Sequence, residues 1–392
     1  EIVCLDQDTG EVPWRRAVSS FVDTPPTVAD GRVLFGCMDG YLYCLRASDG
    51  ELAWRFRAAP ADTQVVHEGR PASRWPVHGA VLVRDGAVYC TAGRSSFLDG
   101  GIQLFKLDVA SGELLAHGRA HGPDYGFYEL NPLYEVTKDK WGNVRKVPKG
   151  YHPDFIDIEG ARSDVLVSDG LDLHMGATRI TTDLTPHSSL LEQAKGEMTG
   201  RRWLRTMNGF LDDTYFHRVG WHYSDQYRGG GNASGAPNAG KLVVFDDRRT
   251  YGAQWEGDFP NRYPNHVIGQ GTAIVAHELG AEAEVKGFTV VPGSDPVWRT
   301  DVPLVVRAMV LAPSAESVAG KLFVAGPLEK DDDPFAPYQG RGDGRLYVLS
   351  AADGRKVSEI VLPAQPVFDG MAAADGRLFM ALADGRIVCF GR

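Results

Sequence analysis

The densest chemistry in the sequence lies in "NGFLDDTYFHRVGWHY", Asn208 to Tyr223. Two carboxylates (Asp212, Asp213), two imidazoles (His217, His222) and one guanidinium (Arg218) share this stretch with five aromatic rings. Carboxylate and imidazole move protons near neutral pH, and beside an arginine they can orient a polar ligand or a cation. Asp212, Asp213, His217 and Arg218 are therefore the catalytic candidates. Alternate residues of a strand face opposite ways, so His217 and His222 do not both point inward from one regular strand, and these two imidazoles are not expected to hold a metal. The competing reading is an ion-pair and aromatic network that holds an irregular part of the fold. His78 in "WPVHG", and Arg94 with Asp99 in "AGRSSFLDGG", join His222 as ligand-binding candidates. Their structural alternative is a hydrogen-bonded histidine and a salt-bridged turn.

Weaker signals are discounted on chemistry. "EKDDDPFAP" (Glu329 to Pro337) has carboxylates for Ca²⁺ but not the spaced oxygen ligands of a calcium loop. "RGD" at Arg341 to Asp343 sits inside a glycine-rich turn, and "NAS" at Asn232 is a formal glycosylation sequon without further support. "YRGGGNASGAPNAG" (Tyr227 to Gly240) has no strand, lysine and helix around it to make a phosphate loop, and reads as a surface loop. The formal charge of -10 argues against a nucleic-acid partner, despite the small basic cluster "RRWLR" at Arg201 to Arg205. No apolar run approaches the roughly 18 to 20 residues that cross a bilayer, so no membrane span is expected. Five cysteines exclude a complete disulfide framework. Cys4, Cys44 and Cys389 share one local context ("EIVCLD", "YLYCLR", "RIVCFG"), which points to a repeated packing position rather than a reactive site.

The elements that must position these groups are short strands. With 46 Gly and 23 Pro in 392 residues the chain is turn-rich. It also repeats itself: "CLDQDTGEVPW" (Cys4 to Trp14) returns as "CLRASDGELAW" (Cys44 to Trp54), 40 residues later. The fullest unit is "PTVADGRVLFGCMDGYLYCLRASDGELAW", Pro26 to Trp54. Its alternating runs are separated by Asp-Gly and similar turns, the pattern of antiparallel hairpins, so one unit makes a sheet of about four strands. Further copies start at His78, Arg162, Gly240, Gly320 and Pro366. Gly240 to Trp255 reads as a divergent outer hairpin, and helical periodicity is confined to "LLEQAKGEM" (Leu190 to Met198) and "IVAHELGAEAE" (Ile274 to Glu284). Four-stranded sheets repeated every 40 to 50 residues predict an all-β chain, a β-propeller of four-stranded antiparallel blades with about seven or eight blades in the complete form. The expectation is one propeller domain over residues 1–392, carrying long insertions at 120–160, 181–200 and 228–239. Glu1 follows no Met or signal-peptide pattern, and the first residues hold only two outer strands, so further blade strands are expected upstream.

"CLDQDTGEVPW" resembles the tryptophan-docking repeat of the quinoprotein family, with Asp6, Thr9, Gly10, Glu11 and Trp14 on the motif and Cys4 where Ala is usual. In the second copy Asp49, Gly50, Glu51 and Trp54 take the corresponding places, and Arg46 and Ser48 depart from it. Asp6, Gly10, Trp14, Asp49, Gly50 and Trp54 are accordingly assigned a structural, blade-docking role. The wider resemblance, over most of the chain, is to PQQ-binding-like β-propeller repeat proteins of bacteria. Such repeats serve alcohol dehydrogenases, sugar dehydrogenases and non-catalytic scaffolds alike, so the resemblance implies the fold and leaves the activity open. It implies a periplasmic or secreted location. A PQQ enzyme would need Ca²⁺ with oxygen ligands, a basic Asp, an Arg and an aromatic floor, and the adjacent cysteine pair of alcohol-oxidising members is absent here. The leading expectation is a binding or scaffold module for a protein or polysaccharide partner. The alternatives are a PQQ-dependent oxidoreductase of alcohols or sugars, and a lyase or hydrolase acting on saccharides.

Overall fold

The computed structural model describes residues 1–79, 81–122, 134–138, 141–148, 161–176, 178–188, 203–206, 220–224, 238–255, 272–279, 283–286, 289–292, 295–312, 320–329 and 333–391. Among the described residues there is no α-helix, and every sheet pairing is antiparallel. The hairpins follow from turn chemistry. Asp30-Gly31, Asp85-Gly86 and Asp375-Gly376 each place both residues at positive φ (48° and 70°, 51° and 73°, 49° and 73°), the two-residue turn whose twist matches the strands it joins.

The chain divides into two compact units, Glu1–Thr214 with Ser224–Gly229, and Tyr215–Tyr223 with Gly230–Arg392. The first unit opens with a pair of strands, Ile2–Cys4 and Trp14–Arg16. A four-stranded sheet follows in chain order, Thr27–Ala29, Arg32–Gly36, Tyr41–Arg46 and Leu52–Arg57. After the hairpin Gln64–His67 and Arg70–Ser73 comes a second such sheet, Leu82–Arg84, Ala87–Ala92, Ile102–Asp108 and Leu114–Ala120. A third consists of Leu166–Ser168, Leu173–Met175, Thr178–Ile180 and Pro186–Ser188. Its last strand falls at the start of the segment 181–200, which the sequence presents as an insertion. Within 120–160 the described residues form another hairpin, Tyr134–Lys138 with Val144–Pro148.

Consecutive sheets stack face to face, so inner strands are apolar on both sides. In Arg32–Gly36 the residues Val33 and Phe35 pack toward Ile2, Trp14 and Val18, while Leu34 packs the other way, against Val77, Val88 and Phe105. In Tyr41–Arg46 the same alternation sends Tyr43 and Leu45 one way and Leu42 and Cys44 the other. Leu34, Leu42 and Leu45 are fully buried, each contributing roughly 1.5–3 kcal/mol relative to an exposed side chain.

The second unit repeats the plan with the sheet Val243–Phe245, Arg249–Trp255, Thr272–Glu278 and Trp298–Val302. Next come Ala308–Ala312, Lys321–Pro327, Gly344–Ser350 and Lys356–Val361, then the three strands Pro366–Ala374, Arg377–Leu382 and Ile387–Phe390. Two expectations are corrected here. Ile274–Glu278 lies within a strand, hydrogen-bonded on one side to Arg249–Trp255 and on the other to Trp298–Val302. Residues 274–277 are buried on both faces, which erases the polar alternation that marks a half-exposed strand and leaves a run that mimics a helix. The hairpin within Gly240 to Trp255 opens its sheet rather than closing it, because the closing strand is Trp298–Val302, reached after a long excursion.

The turn between the last two strands of a sheet recurs almost atom for atom. Asp6, Arg46, Asp108 and Ser350 each donate their N–H to the carbonyl five residues on, and each accepts the N–H of a glycine four residues on (Gly10, Gly50, Gly112, Gly354). In the first and third copies the Asp carboxylate also collects the N–H and hydroxyl of Thr9 or Ser111, at 2.8–2.9 Å. Where Arg46 replaces that Asp, its guanidinium grips Asp49 instead (Nε to Oδ1 3.0 Å, Nη2 to Oδ2 2.7 Å), and Asp49 receives the N–H of Glu51.

Three of these glycines lie beneath an indole from the preceding sheet. Trp14, Trp54 and Trp298 donate Nε1–H to the carbonyls of Ala47, Val109 and Ala351 at 2.9, 3.2 and 3.1 Å. A Cβ at Gly50, Gly112 or Gly354 would stand 2.5, 2.6 and 2.5 Å from the respective ring. On the same strands Cys4 faces Trp14 and Cys44 faces Trp54 across the ladder. Burial pushes Cys37 and Cys90 up to about 12 and Cys44 up to about 11, so they carry almost no thiolate at neutral pH. A thiol-specific reagent at pH 8 is expected to modify exposed Cys389 promptly and Cys37, Cys44 and Cys90 only after denaturant is added. Prompt modification of any buried thiol would contradict this burial.

Candidate functional site

The sequence candidates His78, Arg94 and Asp99 are brought together in the first unit by three loops. Asp23 belongs to the loop that enters the strand Thr27–Ala29, and His78 to the loop that enters Leu82–Arg84. Arg94 to Gly101 forms the turn between Ala87–Ala92 and Ile102–Asp108. All three loops sit at ends of neighbouring sheets, where backbone leaves the ladder and side chains can converge.

The first two loops are laced together. The buried hydroxyl of Thr24 donates to the carbonyl of Gly79 at 3.0 Å, and that of Thr27 donates to Val81. This places the carboxylate of Asp23 on Nδ1 of His78, with only 18% and 16% of the two side chains exposed. Arg94 is the third member. Its guanidinium reaches the Ser73 carbonyl at 3.4 Å, and its own carbonyl accepts the N–H of Ser163. Burial lowers the Arg94 pKa, and the charges of Asp99 and Asp23 oppose that shift. An arginine remains charged through such a shift, so Arg94 is a fixed cation between two carboxylates.

Asp99 closes the group. It sits at φ 54°, its carboxylate lies 3.4 Å from Nε of Arg74, and its carbonyl accepts the indole N–H of Trp75 at 2.8 Å. The Arg74 guanidinium stacks 5.9 Å from the Trp75 ring. Between Arg94 and Asp99 the loop is pinned by Ser96, fully buried, whose N–H donates to Ala161 and whose carbonyl accepts from Gly122. Its hydroxyl accepts the N–H of Ala161 at 2.9 Å. That anchor turns Phe97 and Leu98 outward, 46% and 53% exposed. The Phe97 ring rests over Gly122, where a Cβ would come within 2.4 Å of it. The result is a fixed apolar tip beside a charged cluster.

His222 belongs to the second unit, buried on the strand Trp221–Ser224 and paired with Ala239. Asp212, Asp213, His217 and Arg218 lie outside the described residues. Sequence reading missed Asp23, whose partner stands 55 residues away with no periodicity to link them. It also missed Asp39, which accepts from the hydroxyls of Ser19 and Tyr43. Burial and that carboxylate push the Tyr43 phenol up to about 12. Among the described residues, no three His, Cys, Asp or Glu side chains converge to hold a metal ion.

Comparison with known proteins places these features. Residues 1–126 match a family model described as outer membrane protein assembly factor BamB. No curated protein sequence matches the chain. Among solved structures, the chain is similar to BamB from Moraxella catarrhalis at 10% identity and TM-score 0.36, over 100% of this chain and 78% of that one. It is similar to the quinohemoprotein alcohol dehydrogenase ADHIIG from Pseudomonas putida HK5 at 12% identity and TM-score 0.35, over 99% and 61%. The computationally designed Ika8 protein is similar at 12% identity and TM-score 0.44, over 100% and 90%. The match over residues 1–126 assigns that part of the chain to a PQQ-like repeat family, and the four-stranded antiparallel sheets repeated along the rest have the form of β-propeller blades.

Proposed function

We propose that the chain is an extracytoplasmic binding or scaffold module that recognises a protein partner through the loop end of its first unit. The observation that carries this reading is the loop Arg94 to Gly101. It presents Phe97 and Leu98 from a backbone held by the buried Ser96, with Arg94, Asp99, Asp23 and His78 beside it. Loops fixed on a rigid scaffold are where recognition is usually placed, and an apolar centre with a charged surround is how protein interfaces are built. The family description, an outer membrane protein assembly factor, supports a partner of protein and a location outside the cytoplasm.

The test pairs two measurements on the purified chain. Chemical cross-linking to an envelope extract, quantified against chain concentration, is expected to give a saturable complex with one protein. The double substitution Phe97→Ser with Leu98→Ser is expected to weaken it at least tenfold, since apolar anchors dominate interface energies. In parallel, PQQ with Ca²⁺ is titrated against tryptophan fluorescence and assayed for dye reduction with alcohols and sugars. A complex indifferent to the loop substitutions, or saturable PQQ binding with dye reduction, would overturn the proposal in favour of another surface or of an oxidoreductase.

A further inference from the structure

In the second unit, the sheet that holds Trp298 carries a buried base on its other face. Across three neighbouring strands the ladder sets Phe245, Thr250 and His277 directly opposite one another, hence on one face. Thr250 is 1% exposed and His277 2%. Asn238, itself buried and held at φ 61°, accepts the Thr250 hydroxyl on Oδ1 at 2.6 Å, and its carbonyl accepts the N–H of Tyr223 at 2.9 Å. The Tyr223 ring stacks on Phe245 at 4.3 Å between centres. The strand Ala239–Gly240 lies against the same face at Gly252, where a Cβ would stand 2.3 Å from the Ala239 carbonyl.

The His277 ring sits in this seam with its Nδ1 buried and without a hydrogen-bond partner among the described residues. The charged groups around it are engaged elsewhere. Glu278 lies on the opposite face and pairs with Arg249 at 3.2 Å. Asp246 accepts the N–H groups of Arg248 and Arg249 at 2.8 Å each, and the Tyr251 hydroxyl at 3.1 Å. Further along the His277 face the ladder puts Arg299 and Asp301 opposite Val275 and Ala273, where they pair with each other at 3.1 Å. The backbone packed on this face brings His222, Tyr223 and the buried Lys241, two bases and a phenol. Burial holds the His277 imidazole below its ordinary value of 6.5.

We propose that His277 is an acid-release switch: uptake of a proton by its imidazole opens the seam between its sheet and residues 238–240 packed on it. A neutral ring can stay in a dry seam, whereas an imidazolium there lacks both water and a carboxylate to offset its charge. Opening gives it water. An exposed imidazole takes its proton near pH 6.5, and the closed seam takes it only at lower pH, so the open form binds more protons in between. The seam is therefore at full strength above about pH 6.5, weakens as pH falls through that value, and stops weakening once the closed form is itself protonated. A single proton limits the effect to about tenfold in the opening equilibrium per pH unit. The switch does not depend on the partner-binding reading of the first unit.

The experiment is hydrogen exchange of the full chain at pH 7.5, 6.5 and 5.5, read by mass spectrometry and corrected for the intrinsic pH dependence of exchange, in the parent and in His277→Gln and His277→Leu. Between pH 6.5 and 5.5 the parent's segments 238–255 and 272–278 are expected to lose up to about tenfold in protection, while the first unit holds. Neither variant has a titrating ring, so this response should vanish in whichever keeps the parent's far-UV circular dichroism. The Cε1 signal of His277 in ¹³C-histidine-labelled parent gives a reading that does not depend on the stability of a variant. It should stay at its neutral position at pH 6.5 and move only at lower pH. Three outcomes would overturn the switch: a His277 ring that titrates with its midpoint at or above pH 6.5, protection of these segments unchanged from pH 7.5 to 5.5, or an acid response that the substitutions leave intact.

Discussion

Trp298→Ala is expected to cost about 3–5 kcal/mol of stability, the range for removing a large buried aromatic. Trp298 is 8% exposed and touches Tyr251 at 5.8 Å between ring centres. Its indole also ties one sheet of the second unit to the next, through the bond to Ala351 and the contact with Gly354. Gly354→Ala attacks the same joint from the other side. The new Cβ would stand 2.5 Å from the ring and 2.4 Å from Thr300 Oγ1, on a backbone at φ +71°. Urea unfolding followed by circular dichroism measures both. The double variant should lose less than the sum of the single losses, because alanine at 298 vacates the space that the added methyl needs. Trp54→Ala, at a half-buried indole, should cost less than Trp298→Ala. Full additivity, or a loss under about 1 kcal/mol for Trp298→Ala, would contradict a joint made by ring and glycine.

Lys241→Met should have the opposite sign at neutral pH. The folded ammonium titrates at about 8, against an ordinary value of 10.5. Below about pH 8 the lysine is charged in both states, and the folded state bears the whole cost of keeping that charge buried. Between the two values the folded chain has released a proton that the unfolded chain still holds, so stability rises with pH through this window. At about 1.4 kcal/mol per pKa unit the cost is on the order of 3 kcal/mol. Methionine fills nearly the same volume without the charge. The variant should be more stable than the parent at pH 6–7, and the advantage should fade as pH approaches 10.5. Urea midpoints at pH 6, 8 and 10 provide the check. A variant less stable than the parent at pH 7 would mean that the ammonium is already compensated in the folded chain.

Much of the architecture is written in neighbouring residues. Asp30-Gly31, Asp85-Gly86 and Asp375-Gly376 announce hairpins because only a few residue types tolerate two successive positive φ values. The spacing of Cys4 and Trp14, repeated in Cys44 and Trp54, announces a cross-strand pair and the turn between its strands. Such signals are local, so they survive in one dimension. Where burial on both faces removed alternation, as in residues 274–277, the same reasoning mistook a strand for a helix.

The candidate sites are another matter. His78, Arg94 and Asp99 stand out by residue type, but their meeting through Asp23 depends on loops laced by Thr24 and Thr27 across sheet ends. Lys241 and Phe368 stand far apart in the sequence, with no shared motif, and approach one another because the first strands of successive sheets do. Turn chemistry and strand period act between adjacent residues and can be read along the chain. The convergence of charges arises from how whole sheets stack, and a linear order of residues does not express it.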